Sequence, residues 1–319
     1  MTEETAPLAL EVAPLSFGAG RRLSRGARQR LADAALLVVT AIWGGTFVMV
    51  KDAVSSYPVF SFLAIRFAIA AVALLPFVYL RRRARGRVGP AGRTLRWPAF
   101  GAAAAGIGLA LFAGYALQTA GLSLTTPAKA GFITGLSVVI VPAVATLSGR
   151  SEQGAGRAAW LGVGLAAVGL ALLSLQEGFS IAAGDLLVFG CAIGFAAHIL
   201  LTGRFSPRHD PVLLTFGQVI VVAVCAAAAA LFFEVRPPLS GPVLFAAAFT
   251  GILATSLAFG VQTVAQRFTH ATHTALIFAA EPVFAALFSF LLIGELLGPR
   301  QLLGCGLILA GMLVSELRR

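Results

Sequence analysis

From residue 34 onward the chain is a succession of apolar runs, each of roughly the 18–20 residues a helix needs to cross a bilayer, with short polar breaks between them. Within a run the apolar residues are continuous and do not alternate with polar ones, so the inside–outside pattern of a transmembrane β-barrel does not fit. The pattern predicts ten spans, at 34–53, 59–80, 97–118, 127–148, 158–176, 184–204, 212–233, 242–264, 271–293 and 300–317. The breaks are too short to hold a soluble domain. Residues 1–33 read as a cytoplasmic tail, acidic first and basic later, expected to be disordered. The expected fold is an all-α integral membrane protein, with spans one to five in residues 34–176 and spans six to ten in 184–317.

Composition agrees. Hydrophobic residues make up 58% and charged residues only 12%, against roughly 25% charged in a soluble domain. The net charge of +11 raises nucleic acid as a partner, but the basic residues sit in clusters between apolar runs, as in cytoplasmic loops of membrane proteins. With both termini cytoplasmic, 19 of the 24 Lys and Arg residues fall inside and 4 outside, with Arg66 within a span. An odd number of spans would scramble that asymmetry. The chain is therefore expected in the plasma (inner) membrane, in contact with lipid and without nucleic acid. The first run lacks a cleavage site and reads as an anchor that stays. Cys191, Cys225 and Cys305 lie within runs without CxxC spacing and read as buried thiols. No metal or other cofactor is expected.

The chain also repeats itself. GVGLAAVG at 162–169 and GCGLILAG at 304–311 share glycines at i, i+2 and i+7. Gln118-Thr119 matches Gln262-Thr263, each with an aromatic three residues before, Tyr115 and Phe259. Ala41-Ile42 matches Ala192-Ile193, and Pro58-Val59 matches Pro211-Val212. The matches occur in the same order, so spans 1–5 and 6–10 read as two copies. Five spans is an odd number, so the second copy enters from the opposite side. Inverted repeats are a recurring device of secondary transporters, in which the two halves open a midplane site to one side and then the other.

Three stretches carry a family resemblance: EPVFAALFSFLLIGE at 281–295, IWGGTF at 42–47 and AGFITGLSVVIVP at 130–142. They are similar to the ninth, first and fourth spans of the drug/metabolite transporter superfamily, EamA group. The resemblance covers residues 34–317. It implies ten transmembrane helices as two inverted five-helix EamA repeats around a central cavity, and export of metabolites or drugs.

Several residues stand out against the apolar background. Glu281 lies within the ninth run, where a charge costs about 2.5–3.5 kcal/mol on insertion scales. Pro282 follows it, has no N–H, frees the Phe278 carbonyl four residues back and biases Glu281 away from helical geometry. Broken backbone at membrane depth is tolerated around a water-filled cavity. Glu281 therefore reads as a cavity carboxylate, a proton site or a cation contact; the alternative is a protonated acid capping the break. Arg66, the one basic residue inside a span, is placed to pair with Glu281 or to bind helix carbonyls. Trp43 is unusual in mid-span, because Trp prefers interfaces. Tyr115 and Gln118, and in the other copy Phe259 and Gln262, are one helical turn apart, offering one aromatic and one amide per half. These seven are the candidate substrate- or ion-binding residues. Gly44, Gly45, Pro142 and Pro282 are the candidate hinges. His198 is either a proton relay or a hydrogen-bonded packing residue, and His270 and His273 read as a solvated loop.

An intramembrane aspartyl enzyme would need two acids in spans, and a serine enzyme would want GxSxG. Neither pattern is present, so the chain is not expected to be an enzyme. GVG at 162–164 lacks what a phosphate loop requires. The reading that remains is a secondary transporter, monomer or homodimer, exporting small amphipathic, amino-acid-like or drug-like metabolites, with protons as the candidate coupling ion. Its alternatives are a proton-independent uniporter or exchanger, and a signalling or assembly subunit that transports nothing.

Overall fold

The computed structural model describes residues 24–87, 97–125, 127–138, 140–141, 144, 157–174, 183–235, 237–294, 296 and 298–317. Every regular element among them is helical: α1 Arg25–Ser56, α2 Val59–Arg87, α3 Trp97–Leu124, α4 Pro127–Gly135, α5 Arg157–Ser174, α6 Ala183–Phe205, α7 Pro211–Phe233, α8 Gly241–Phe249, a π-helical stretch Thr250–Leu257, α9 Ala258–Ala265, α10 Ala271–Phe278, α11 Glu281–Ile293 and α12 Pro299–Leu317. Helix α1 begins at Arg25, so part of the segment expected as tail is helical; the Ser24 hydroxyl accepts from Ala27 N–H at 3.2 Å and caps it.

Among the described residues seven helical stretches are long and apolar enough to cross a bilayer: Gly26–Ser56, Val59–Arg83, Pro98–Leu124, Ala183–Phe205, Pro211–Phe233, Gly241–Ala265 and Ala271–Leu292. Helices α5 and α12 hold shorter apolar cores, Trp160–Gly169 and Leu302–Gly311. The expected fourth span, 127–148, lies partly outside the described residues, and Pro142 is among those outside. The distribution of polarity is that of a chain in lipid. Phe232 and Phe233 are 82% and 80% exposed, while Arg66, Gln218 and His198 are buried.

Helices α2 and α7 lie side by side and antiparallel, tied at both ends. Past the end of α7, Glu234 accepts from the backbone N–H groups of Phe60 and Ser61, each at 2.7 Å, and from the Ser61 hydroxyl at 2.9 Å. Those N–H groups are orphan donors at the start of α2, where Pro58 supplies no side-chain cap. The carboxylate also meets the positive end of the α2 dipole. At the opposite end Arg81 Nε donates to Asp210 Oδ2 at 2.7 Å. Asp210 Oδ1 meanwhile caps α7, accepting from the Val212 and Leu213 N–H groups at 3.0 and 3.2 Å.

The glycine motifs shared by the two copies bring α5 against α12. A Cβ on Gly169 would stand 2.6 Å from the Gly304 carbonyl oxygen, and one on Gly311 would stand 2.7 Å from that of Gly162. Residue 169 thus faces 304 while 162 faces 311, so this pair is also antiparallel and in backbone contact, the close approach that small residues permit in membranes. The middle glycines, Gly164 and Gly306, have nothing within 4 Å of such a Cβ and point away from the crossing. Helices α3 and α6 cross in the same manner, with Gly194 against Gly114 and Gly184 against Gly121. Helix α1 packs on α9 and α11. Cys191 is buried, whereas Cys225 and Cys305 are half-buried, contrary to the expectation of three buried thiols.

Candidate functional site

The helix pairs surround a partly open cavity. All seven of the candidate binding residues line it: Trp43, Arg66, Tyr115, Gln118, Phe259, Gln262 and Glu281. The walls come from both copies. Helices α1, α2, α3 and α4 contribute on one side, and α6, α9, α10 and α11 on the other.

Glu281 is the first residue of α11, and Pro282 stands at that helix's N-terminus, where a missing N–H costs nothing. The ninth run is therefore two helices. The backbone between them does not unwind. Ala279 and Ala280 keep helical φ, with ψ raised to −14° and −11°, and Ala280 N–H reaches back three residues to the Ile277 carbonyl at 3.1 Å. The break is a tight 3₁₀-like turn, a smaller departure than the proline suggested. It leaves Glu281 half-buried at the positive end of α11, facing the cavity. No described residue makes a hydrogen bond or ion pair with its carboxylate. Gly44 lets α1 approach this turn: a Cβ there would lie 2.8 Å from the Glu281 carbonyl oxygen and 2.7 Å from Phe284 Cβ. Gly45 lies beside the Phe288 ring.

Arg66 does not pair with Glu281. Its Nε donates to Thr255 Oγ1 at 3.0 Å, its Nη2 donates to the Tyr115 hydroxyl at 3.2 Å, and its guanidinium carbon stands 4.6 Å from the Tyr115 ring centroid. Thr255 belongs to the π-helical stretch, and so does the carbonyl of Ala254, which accepts from Trp43 Nε1 at 2.8 Å. Gly251 in that stretch admits α2, since a Cβ there would sit 2.6 Å from the Arg66 carbonyl oxygen. Sequence reasoning missed this segment. Its available signals were the Thr255-Ser256 pair in the middle of an apolar run and the neighbouring glycine. A π-helical insertion at a ligand cavity is a frequent association.

Tyr115 and Phe259, matched between the copies, face one another with ring centroids 6.0 Å apart at 84°. Trp43 packs edge-on to Phe278 at 4.9 Å and tilted to Phe259 at 5.4 Å. The two amides do not face each other in the same way. Gln118 Nε2 donates to Thr134 Oγ1 at 3.2 Å, and Gln262 Nε2 donates to Gln266 Oε1 at 3.1 Å. His198 also lines the cavity and bonds Gln218 Oε1 through Nε2 at 2.7 Å. His273 corrects an expectation. It is buried, not solvated, with its Nε2 3.1 Å from Asp33 Oδ1 of α1, whereas His270 is exposed.

Apolar helices around a partly polar internal cavity, walled by both halves of the chain, define a multi-pass membrane transporter. Comparison with known proteins gives the family. The chain belongs to the EamA-like transporter family, within the drug/metabolite transporter superfamily; two copies of the family's domain match, over residues 30–175 and 182–317. An uncharacterized transporter of Archaeoglobus fulgidus is 34% identical over 92% of this chain and 89% of its own length. The uncharacterized transporter YyaM of Bacillus subtilis is 26% identical over 88% of this chain and 92% of its own. A protein of known crystal structure has the same fold, with TM-score 0.72 at 22% identity over 91% of this chain and all but 1% of its own.

Proposed function

We propose that this chain is a secondary transporter that exports small amphipathic metabolites, amino-acid-like or drug-like, across the plasma membrane by alternating access. The observation that carries the reading is a carboxylate, Glu281, without a described protein partner, facing a cavity built by both halves. Antiparallel pairing of α2 with α7 and of α5 with α12, each pair made of matched spans, supports ten spans in two inverted repeats, residues 34–176 and 184–317. The bias of Lys and Arg supports cytoplasmic termini. Export is the direction the family resemblance implies.

Protons are the proposed coupling ion and Glu281 the proposed acceptor. Protonation removes the cost of holding an anion inside the membrane, and that favours one cavity state over the other. The aromatic wall of Trp43, Tyr115, Phe259 and Phe278 suits an apolar side group. Arg66 supplies the cavity's positive charge. Rocking of one half on the other would turn about the α10–α11 break, with Gly44, Gly45 and Pro282 absorbing the change; Pro142 belongs to the same proposal on sequence grounds.

The test is flux in proteoliposomes containing the full chain, screened against a panel of amino acids and amphipathic amines with an imposed pH gradient. Gradient-driven flux of at least one solute is expected. Flux that is unchanged from acidic to alkaline pH at constant substrate charge would reduce the mechanism to uniport or exchange. A folded protein that moves nothing on the panel would favour a non-transporting subunit.

A further inference from the structure

Two hydrogen-bond relays run from the protein interior to the cavity, and each begins at a backbone carbonyl. A carbonyl can only accept, so it fixes the direction of every bond behind it. In the first relay Gln266 Nε2 donates to the Ile199 carbonyl at 3.0 Å. Gln266 therefore presents Oε1 to its neighbour, and Gln262 must offer Nε2 there, at 3.1 Å. The amide of Gln262 cannot be reversed without breaking that bond. Its Oε1 is left as a buried acceptor without a hydrogen-bond partner, on a residue that lines the cavity.

The second relay has the same polarity. Thr263 Oγ1 donates to the Phe259 carbonyl at 2.7 Å, so it accepts from Gln218 Nε2 at 3.3 Å. Gln218 thus turns Oε1 toward His198, whose Nε2 must carry a hydrogen to donate at 2.7 Å. In a neutral imidazole the other nitrogen, Nδ1, is then a lone-pair acceptor, and no described residue bonds it. His198 is buried and lines the same cavity. The Glu281 carboxylate, without a partner among the described residues, adds a third acceptor on the cavity wall. Several donors at the same wall are directed to protein acceptors: Arg66 Nε to Thr255 and Nη2 to Tyr115, Trp43 Nε1 to the Ala254 carbonyl, and one hydrogen of Gln118 Nε2 to Thr134.

We infer that the cavity takes a protonated primary amine, its ammonium hydrogens received by the Glu281 carboxylate, Gln262 Oε1 and His198 Nδ1. Three acceptors on cavity-lining residues of α11, α9 and α6 favour a group with several donors and a positive charge. A polar ligand without donors would leave these acceptors bare, which is costly for buried groups. Gln218 and Gln266 are positioning residues that hold the acceptors the right way round. The inference rests on the cavity being the transport site and specifies which solutes it recognises.

The test is calorimetric binding to the full chain in lipid nanodiscs with three probes: 2-phenylethylamine, its N,N,N-trimethyl derivative and 2-phenylethanol. The primary amine is expected to bind about tenfold or more tightly than either other probe, the scale of a hydrogen bond to a charged group. Gln266→Leu should weaken the amine by about tenfold and leave the quaternary probe unchanged, and His198→Phe should weaken the amine by about tenfold. Equal binding of the primary and quaternary amines would overturn the inference in favour of an aromatic site, and so would failure of the amine to bind into the millimolar range. A second measurement does not depend on variants or probes. The ¹⁵N spectrum of histidine-labelled protein, assigned with His198→Asn, must show His198 as the Nε2–H tautomer, and an Nδ1–H tautomer sinks the proposal. Flux and binding are read separately, so absence of transport with the amine preference intact rejects the transport reading alone.

Discussion

Arg66 and Glu281 are the two charged side chains of one cavity, and they are held in opposite ways. The guanidinium is built in. It has Thr255 and Tyr115 as hydrogen-bond partners and an aromatic face beneath it, and its carrier helix is pressed against Gly251. The carboxylate stands at a helix start with no described partner and with cavity beside it. A buried charge lacking protein partners is costly, and a chain keeps one most readily where solute or proton completes it. On the proposed reading, Arg66 carries a large share of structure and Glu281 serves mainly function.

The largest effect should come from Glu281→Gln. The amide is nearly isosteric and cannot carry the charge. Flux in proteoliposomes should fall by about a hundredfold, the order of a lost charged contact plus a lost proton site. Unfolding in detergent should show stability equal to or above that of the parent, because no hydrogen bond or ion pair to a described residue is removed and a half-buried charge is. The residual flux should no longer respond to pH, while that of the parent does. A destabilised Glu281→Gln protein would mean that the carboxylate is structural after all, and the contrast with Arg66 would be void.

What the sequence disclosed and what it hid divide along the same line. Glu281, Arg66, Trp43 and the two aromatic–amide pairs were visible because each interrupts an apolar run, and the structure collects all seven around one cavity. The fold class was visible because bilayer thickness sets run length. Which partner each residue takes was not visible, since hydropathy carries no information about contacts between distant spans. For Arg66 the sequence offers Glu281 or helix carbonyls as partners, yet its bonds go to Tyr115 and to a π-helical threonine that reads as ordinary span sequence. His273 looked like loop because it follows a polar break, but Asp33, far away in sequence, makes a burial site for it. Pro282 signalled a break correctly in position and too strongly in degree, because proline is tolerated at a helix start.

Arg66→Lys should come next in size. An ammonium lacks the planar fork that reaches Thr255 and Tyr115 together, so at least one bond is lost and stability should drop by about 2 kcal/mol. Guanidinium or SDS unfolding would register this, and transport should fall with it. Tyr115→Phe should be milder. It leaves the ring beneath the guanidinium and removes only the hydroxyl, for a loss of about 1 kcal/mol. If Arg66→Lys proves as stable as the parent while flux collapses, Arg66 belongs with Glu281 as a functional charge and the two regions are alike.

The smallest effects test whether the two regions are separate at all. Thr255→Val removes the acceptor for Arg66 Nε and the donor to the Thr250 carbonyl, without changing shape much. Interhelical hydrogen bonds in membranes average about 0.6 kcal/mol, so its stability loss should be of that order. Combined with Glu281→Gln, the two effects on stability should add within about 0.5 kcal/mol, as they do for sites that share no partner. Thr255 and Glu281 share none among the described residues, so additivity is the physical expectation. A larger coupling would require the π-helical stretch to pass strain to the α10–α11 break through Trp43, the side chain that bonds Ala254 on one side and packs edge-on to Phe278 on the other. That result would make Arg66 and Glu281 two ends of one switch, with Trp43 as its lever, and Trp43→Phe should then abolish the coupling by removing the bond to Ala254 while keeping an aromatic ring in place.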